Sequence, residues 1–306
     1  MKQIALKKAG IQVPEIALGC MRINNLEKKE IKELVEYAME EDINFFDHAD
    51  IYGRGVCETL FSEAIEMNET LREKMIIQTK CAIRPGIGYD ASKEHILYSV
   101  EESLKRLKTD YIDILLLHRP DALIEPEEVA EAFHELNKQG KVKYFGVSNC
   151  NPYQIALLNK YCEEPMVINQ LQLSITECGM VDAGMNVNMQ NTAGIDRDGS
   201  ILDYCRLNDI TIQAWSPFQY GMFEGVFLDN PKFPELNIVM DELAEKYNVT
   251  KSAIAVAWIL RHPAKIQTIV GTTNKERLQG ICKASDIYLT REEWYRLYMA
   301  AGKRLP

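Results

Sequence analysis

A (β/α)8 barrel with an N-terminal β-hairpin and extra C-terminal helices is the fold this sequence predicts, and three observations predict it. Eight short apolar runs alternate with stretches of helical periodicity along 306 residues. No Pro-, Gly- or Ser-rich linker divides them, so residues 1–306 read as one barrel domain. Asp47, Lys80 and His118 each close one of the apolar runs, and Tyr52 lies five residues beyond the first of them. In a closed parallel sheet the C-terminal strand ends all open onto one face. A titratable side chain there is useful, whereas in a core it would be costly.

The elements follow in order. Gln3 to Leu6 and Gln12 to Glu15, across Lys8-Ala9-Gly10, read as a hairpin that plugs the barrel bottom. A first strand spans Ile16 to Gly19, and Ile31, Leu34, Val35 and Ala38 mark a helix. A strand at Asn44 to Asp47, a helix near Val56 to Glu66 and a strand at Met75 to Lys80 establish the alternation. Ile96, Val100, Leu104 and Leu107 give the next helix, and Ile112 to His118 the next strand. Val129, Phe133 and Leu136 form a helix that stops at Gly140; Lys143 to Ser148 is a strand, and Pro152 sits in the first turn of the helix after it. Further strands are expected at Val167 to Gln170, Thr211 to Trp215 and Ile266 to Gly271. Helices are expected near Ile201 to Leu207, in 236–247, in 251–261, up to Cys282, and in 290–301. Two connections are long for a barrel, 172–199 and 216–235, and both follow strand ends, which places them at the mouth. Met180, Met185 and Met189 in the first, with Met222 in the second, are expected to form a mobile substrate wall.

Composition excludes several classes. With 46% hydrophobic and 26% charged residues the chain can build a large core, so a fibre or a disordered chain is excluded. A formal charge of −10 without any block of like charge argues against a nucleic-acid or anionic-membrane surface. Residues 1 to 20 have no basic leader ahead of an apolar core, and no stretch is long enough to span a membrane, so a cytoplasmic location is expected. Eight cysteines are scattered without C-x-x-C spacing or a His cluster; reduced, buried thiols and no metal site are expected. Cys20, Cys81 and Cys150 adjoin strand ends but have no evident basic partner, and none is assigned a role.

Chemically, Tyr52 alone is a poor acid, because a free phenol has a pKa of about 10. Lys80 beside it would stabilise the tyrosinate, and Asp47 would keep Lys80 charged and aimed. His118 could donate to a substrate oxygen or relay a proton. Together the four polarise a carbonyl and deliver a proton to its oxygen, which serves hydride addition from a reduced cofactor. Each also has a structural reading: a turn-capping aspartate, a packed tyrosine, a snorkelling lysine, a core histidine. Their joint placement on successive strand ends favours the catalytic one. His48 and Arg119 adjoin these positions and should alternate away from the mouth, so both are taken as structural. Arg22 is left open between a cofactor or substrate anion and no role.

The run Asp47-His48-Ala49-Asp50-Ile51-Tyr52-Gly53, Lys80 ending I-I-Q-T-K, His118 in L-L-L-H-R-P, and G-V-S-N at 146–149 resemble the aldo-keto reductases across nearly the whole chain. The spelling, with L-H-R-P-D and A-W-S, looks most like a bacterial branch of NADP-dependent oxidoreductases in that family. The resemblance implies that Asp47, Tyr52, Lys80 and His118 form a catalytic tetrad, with the tyrosine as general acid in reduction. It further implies that Ser148, Asn149 and Gln170 bond the nicotinamide carboxamide, that Trp215 stacks on the nicotinamide, and that Ser216 opens a strap over the pyrophosphate. Gly19, Met21 and Asp47 would pass close to the cofactor. Gly271-Thr272-Thr273-Asn274-Lys275-Glu276-Arg277 resembles the family's 2′-phosphate site, with Thr272 and Arg277 as the anion contacts. Many relatives have lysine where Gly271 stands, so NADP is the expected cofactor with NAD possible; Lys275 reads as a solvated surface residue. The expected partner is a small carbonyl or alcohol substrate, with no obligatory protein partner. Two other readings are weighed against carbonyl reduction: a Schiff-base aldolase using Lys80, and a non-catalytic NADP-binding regulator.

Overall fold

The computed structural model describes residues 1–306. Gln3–Leu6 and Ile11–Pro14 pair antiparallel in a hairpin, and eight parallel strands then close into a barrel. In chain order the barrel strands are Ile16–Gly19, Phe45–Asp47, Ile76–Cys81, Ile112–Leu117, Val142–Ser148, Met166–Gln172, Thr211–Trp215 and Gln267–Val270. Each pairs with its sequence neighbours, and the eighth closes onto the first through Thr268 opposite Ile16 and Val270 opposite Leu18. All eight expected strands are present, within a few residues of the expected ends. No helix is long and apolar enough to cross a membrane.

Strand alternation divides the apolar residues into two sets. Outward side chains such as Leu18, Phe46, Ile77, Leu115 and Phe145 join a cluster of 73 buried residues between the barrel and its helices. Inward ones form a second cluster of 10, in which Ala17, Phe45, Ile114, Leu116, Ile168 and Ile269 meet Ile4, Leu6 and Val13 of the hairpin. The hairpin therefore plugs the bottom, as expected. Helix ends follow their caps: Ser92 accepts from the His95 N–H, and Asn151 and Gln154 make a reciprocal capping box ahead of Pro152–Tyr161.

The 172–199 connection departs from expectation. It carries a helix, Gly179–Met185, and its Met180 is buried in the outer core while Met185 packs against it. Asp182 accepts from the Tyr298 hydroxyl and the Lys303 ammonium, both at 2.8 Å, so the C-terminal segment pins this connection to the barrel's flank. The helix Arg291–Ala300 is itself held by Trp294, which stacks on Trp258 at 4.6 Å while each indole N–H bonds the other's carbonyl. The other long connection, 216–235, folds a short hairpin of Gln219–Tyr220 and Gly225–Val226.

Candidate active site

The barrel's upper interior is polar, which follows from which residues occupy the inward positions. Gln78, Gln170, Gln213 and Gln267 each stand at one of them, and all four are buried. Gln267 donates to the Pro14 carbonyl at 2.7 Å, and Gln213 donates to Gln267 at 2.8 Å and to Gln78 at 3.1 Å. Gln78 and Gln170 both donate to Gln213 at 2.9 Å and to Asp47 Oδ1, at 2.5 and 3.1 Å. This floor of amides satisfies its own donors and supports the Asp47 carboxylate, so the charge is not left bare in the barrel. Sequence reasoning missed Gln78, Gln213 and Gln267. The available signal was a glutamine at the inward parity of four barrel strands.

Lys80 stands on that floor. Its Nζ lies 2.7 and 2.9 Å from the two Asp47 oxygens, 2.8 Å from the His48 carbonyl and 3.2 Å from the Tyr52 hydroxyl oxygen. An ammonium has three protons, and here carboxylate, carbonyl and phenol take them. Burial pulls the Lys80 pKa down, but Asp47 and Tyr52 outweigh it and hold it above the ordinary lysine value. Tyr52 is delivered by a sharp climb after the second strand, in which the Asp50 N–H bonds the Lys80 carbonyl at 3.0 Å. The turn needs left-handed backbone, supplied by Gly53 at φ 57° and Gly55 at φ 90°, where a side chain would also strike Arg106. Burial raises the Tyr52 pKa above the ordinary phenol value, and Lys80 opposes this without reversing it. Lys80 does pull toward tyrosinate, as expected, but the protonated phenol wins in the free protein.

His118 follows the fourth strand, its ring 5.9 Å from that of Tyr52 and nearly perpendicular to it. Burial, with Lys80 and Arg119 adding to it, pushes the imidazole well below its usual pKa and keeps it neutral. The opposite wall is a bonded arc. Ser148 Oγ donates to the Gln170 carbonyl at 3.0 Å, Asn149 donates to Ser148 Oγ at 2.8 Å, and the Trp215 indole N–H donates to Asn149 at 3.2 Å.

A cavity of about 460 Å³ opens above these groups, a volume suited to a small organic molecule. Gly19, Met21, Asp47, Tyr52, His118, Ser148, Asn149, Gln170, Trp215, Ser216, Thr272 and Arg277 all line it; of the expected site residues only Lys80 does not, because it lies fully buried beneath. Arg22 lines it too. One end holds the tetrad residues, and the other meets Ser252 and Arg277 near the starts of helices Lys251–Leu260 and Lys275–Cys282. A Cβ at Gly271 would meet only the Gly19 carbonyl, at 4.0 Å, so the wall between the first and eighth strands is open to an elongated ligand. An arginine, helix starts and a bare backbone suit a dinucleotide's phosphates. No three His, Cys, Asp or Glu side chains are placed to share a metal ion, and burial raises the Cys20, Cys81 and Cys150 thiols.

Two expectations need correction. Arg119 faces the cavity, its guanidinium 5.9 Å from the Trp215 ring, because the fourth strand ends at Leu117 and alternation no longer governs the loop. His48 does point away, fully buried with its ring 4.6 Å from Phe61. Met180, Met185 and Met189 do not line the cavity, and neither does Met222. Its neighbour Phe223 does, 5.9 Å from Trp215 and close to parallel, alongside Phe218. The 172–199 connection instead braces the 216–235 connection: Gln172 donates to the Gly221 carbonyl at 2.8 Å, Ser174 donates to the Gln219 carbonyl at 2.8 Å, and the Gly221 N–H donates to Glu177 at 2.9 Å. At the far end of 216–235 Lys251 pairs with Asp229.

The model of the Aldo/keto reductase family matches residues 15–300. Among curated proteins, the chain is 37% identical to an oxidoreductase of Bacillus subtilis, YcsN, over 98% of each chain. It is 31% identical to a 6-dehydroglucose reductase of Agrobacterium fabrum over 100% of each. Among solved structures, a thermostable aldo-keto reductase in complex with the inhibitor epalrestat superposes with a TM-score of 0.78 at 27% identity, covering 98% of this chain and 100% of that one.

Proposed function

The chain belongs to the aldo/keto reductase family, and from that premise we propose that it is an NADP-dependent carbonyl reductase, residues 1–306 forming one barrel domain, in which Tyr52 protonates the substrate oxygen. One observation carries the assignment of the acid: Lys80 donates to the Tyr52 oxygen, so the phenol's own proton is left for a ligand in the cavity. Bound reduced nicotinamide supplies the hydride. Trp215 gives its ring a platform, and Ser148, Asn149 and Gln170 fix its carboxamide. Gly19, Met21 and Asp47 border its path, Ser216 begins the strap, and Thr272 and Arg277 take the 2′-phosphate. Neutral His118 shares the carbonyl oxygen with Tyr52 and so sets its direction. As charge grows on that oxygen, Tyr52 gives up its proton while the Lys80 ammonium stabilises the phenolate left behind. The same geometry opposes the aldolase reading, since a Schiff base needs a free amine and Lys80 is buried, charged and committed to three acceptors.

Loss of NADPH absorbance with a panel of aldehydes, ketones and sugar aldehydes tests the proposal; the sugar aldehydes are included because of the 6-dehydroglucose reductase among the relatives. Turnover of at least one class supports it. Binding of NADPH with no turnover of any would leave the regulatory reading.

Two predictions follow from the cofactor assignments. Arg277→Ala should weaken NADPH roughly tenfold to a hundredfold, the size of a hydrogen bond to a charged group, and hardly affect NADH. Equal wild-type affinities for both cofactors, unaltered by the substitution, would make the cofactor NAD. Glu177→Ala, which frees the Gly221 N–H, should speed cofactor release in stopped flow more than it slows binding, because it loosens the strap after closure. An unchanged release rate would show that the brace does not hold the strap closed.

A further inference from the structure

We propose that Arg119 reads an anionic group on the substrate, so that the preferred substrates are carbonyl compounds carrying a carboxylate; this rests on the reductase reading above. Five charged side chains besides His118 line the cavity: Arg22, Asp47, Arg119, Asp229 and Arg277. Lys80 neutralises Asp47, and Lys251 neutralises Asp229. The three arginines have no carboxylate within ion-pair reach, in a chain whose net charge is −10 and whose surface cations are widely paired. The lining is thus cationic by placement, against the composition.

Barrel order separates the three. The first strand, which Arg22 follows, adjoins the eighth, which leads to Gly271 and Arg277 where the cofactor phosphates are assigned, whereas the fourth lies across the barrel from the eighth. Arg119 follows the fourth strand, next to His118 and 5.9 Å from the Trp215 ring, at the nicotinamide end. Phosphates at the far end do not reach it. It is also half-buried on the wall of a cavity that Trp215, Phe218 and Phe223 line as well, where an unpaired guanidinium loses hydration without a partner. A carbonyl held between Tyr52 and His118 leaves its neighbouring substituent beside Arg119, and a carboxylate there gains a two-pronged, charge-assisted contact. The reaction stays balanced: hydride adds to the carbonyl carbon, the π pair moves to oxygen, Tyr52 protonates that oxygen, and the carboxylate is unchanged. An oxo acid becomes a hydroxy acid as reduced cofactor becomes oxidised.

The test compares phenylglyoxylate and 4-carboxybenzaldehyde, each against its own methyl ester, with NADPH-loaded enzyme. In the wild type, kcat/KM for at least one acid should exceed that for its ester about tenfold or more. Arg119→Met should collapse that ratio toward one, and Arg119→Lys should keep part of it. A second readout needs no turnover: benzoate binding to the NADP-loaded enzyme, followed by calorimetry, should weaken about tenfold or more in Arg119→Met and fade with added salt in the wild type. Esters reduced as well as acids by the wild type would overturn the proposal. So would benzoate affinity that ignores the substitution, or equal losses for benzoate and NADP, which would give Arg119 to the cofactor. If no carbonyl is reduced at all, the reductase reading fails by itself, and the benzoate arm still decides what Arg119 binds.

Discussion

Tyr52→Phe is expected to lower carbonyl reduction roughly 10²–10⁴-fold, the range of a positioned general acid, while NADPH affinity stays nearly unchanged. The ring that packs 5.9 Å from His118 remains and only the proton donor goes, so the loss belongs to kcat. The wild-type pH profile should agree. Burial holds the Tyr52 pKa above the ordinary phenol value of about 10, so the acid form persists through neutral pH and reduction declines only in the alkaline range. Near-wild-type turnover by the phenylalanine variant in a step limited by chemistry would mean that another group, His118 or Lys80, supplies the proton.

Lys80→Met has the largest expected effect on stability. It leaves the Asp47 carboxylate buried with only the amides of Gln78 and Gln170, and breaking a buried ion pair on one side typically costs about 3–5 kcal/mol. Turnover should fall as well, because the phenolate formed on proton transfer loses its neighbouring charge. Adding Asp47→Asn should restore part of the stability without restoring activity, since no uncompensated charge remains. The folded pKa of Lys80 is raised, so the pair's contribution is fully present below the unfolded value of about 10.4 and is lost only as pH rises through the folded one. Denaturant midpoints for wild type, both single variants and the double variant settle this. A single lysine variant as stable as wild type would mean that Asp47 is not held as a buried anion.

The barrel was legible because its signals are local and repeated. Strand runs, the helix stop at Gly140 and the helix start at Pro152 each act within a few residues, and the closed topology follows from the alternation of strands and helices. Tetrad positions were legible for the same reason, since Asp47 ends a strand, Lys80 stands one residue before the end of one and His118 follows one. Three things were not. The amide floor joins four strands that are far apart in sequence, so Gln78, Gln213 and Gln267 looked like ordinary strand glutamines until the barrel closed. Met180 and Met185 were placed at the mouth because 172–199 follows a strand end, yet Tyr298 and Lys303 hold its Asp182 from more than a hundred residues away. Arg119 was turned outward by a rule for strands that stops applying at Leu117.

The most direct measurement of the central claim is a single turnover with NADPH deuterated at the transferable position and an aldehyde that the wild type accepts. If Tyr52 protonates a carbonyl that receives hydride, the wild-type product is an alcohol with one deuterium on its carbinol carbon, and the Tyr52→Phe enzyme, loaded with the same cofactor, forms it at least a hundredfold more slowly. An alcohol without deuterium, or equal rates from the two enzymes, would contradict the account.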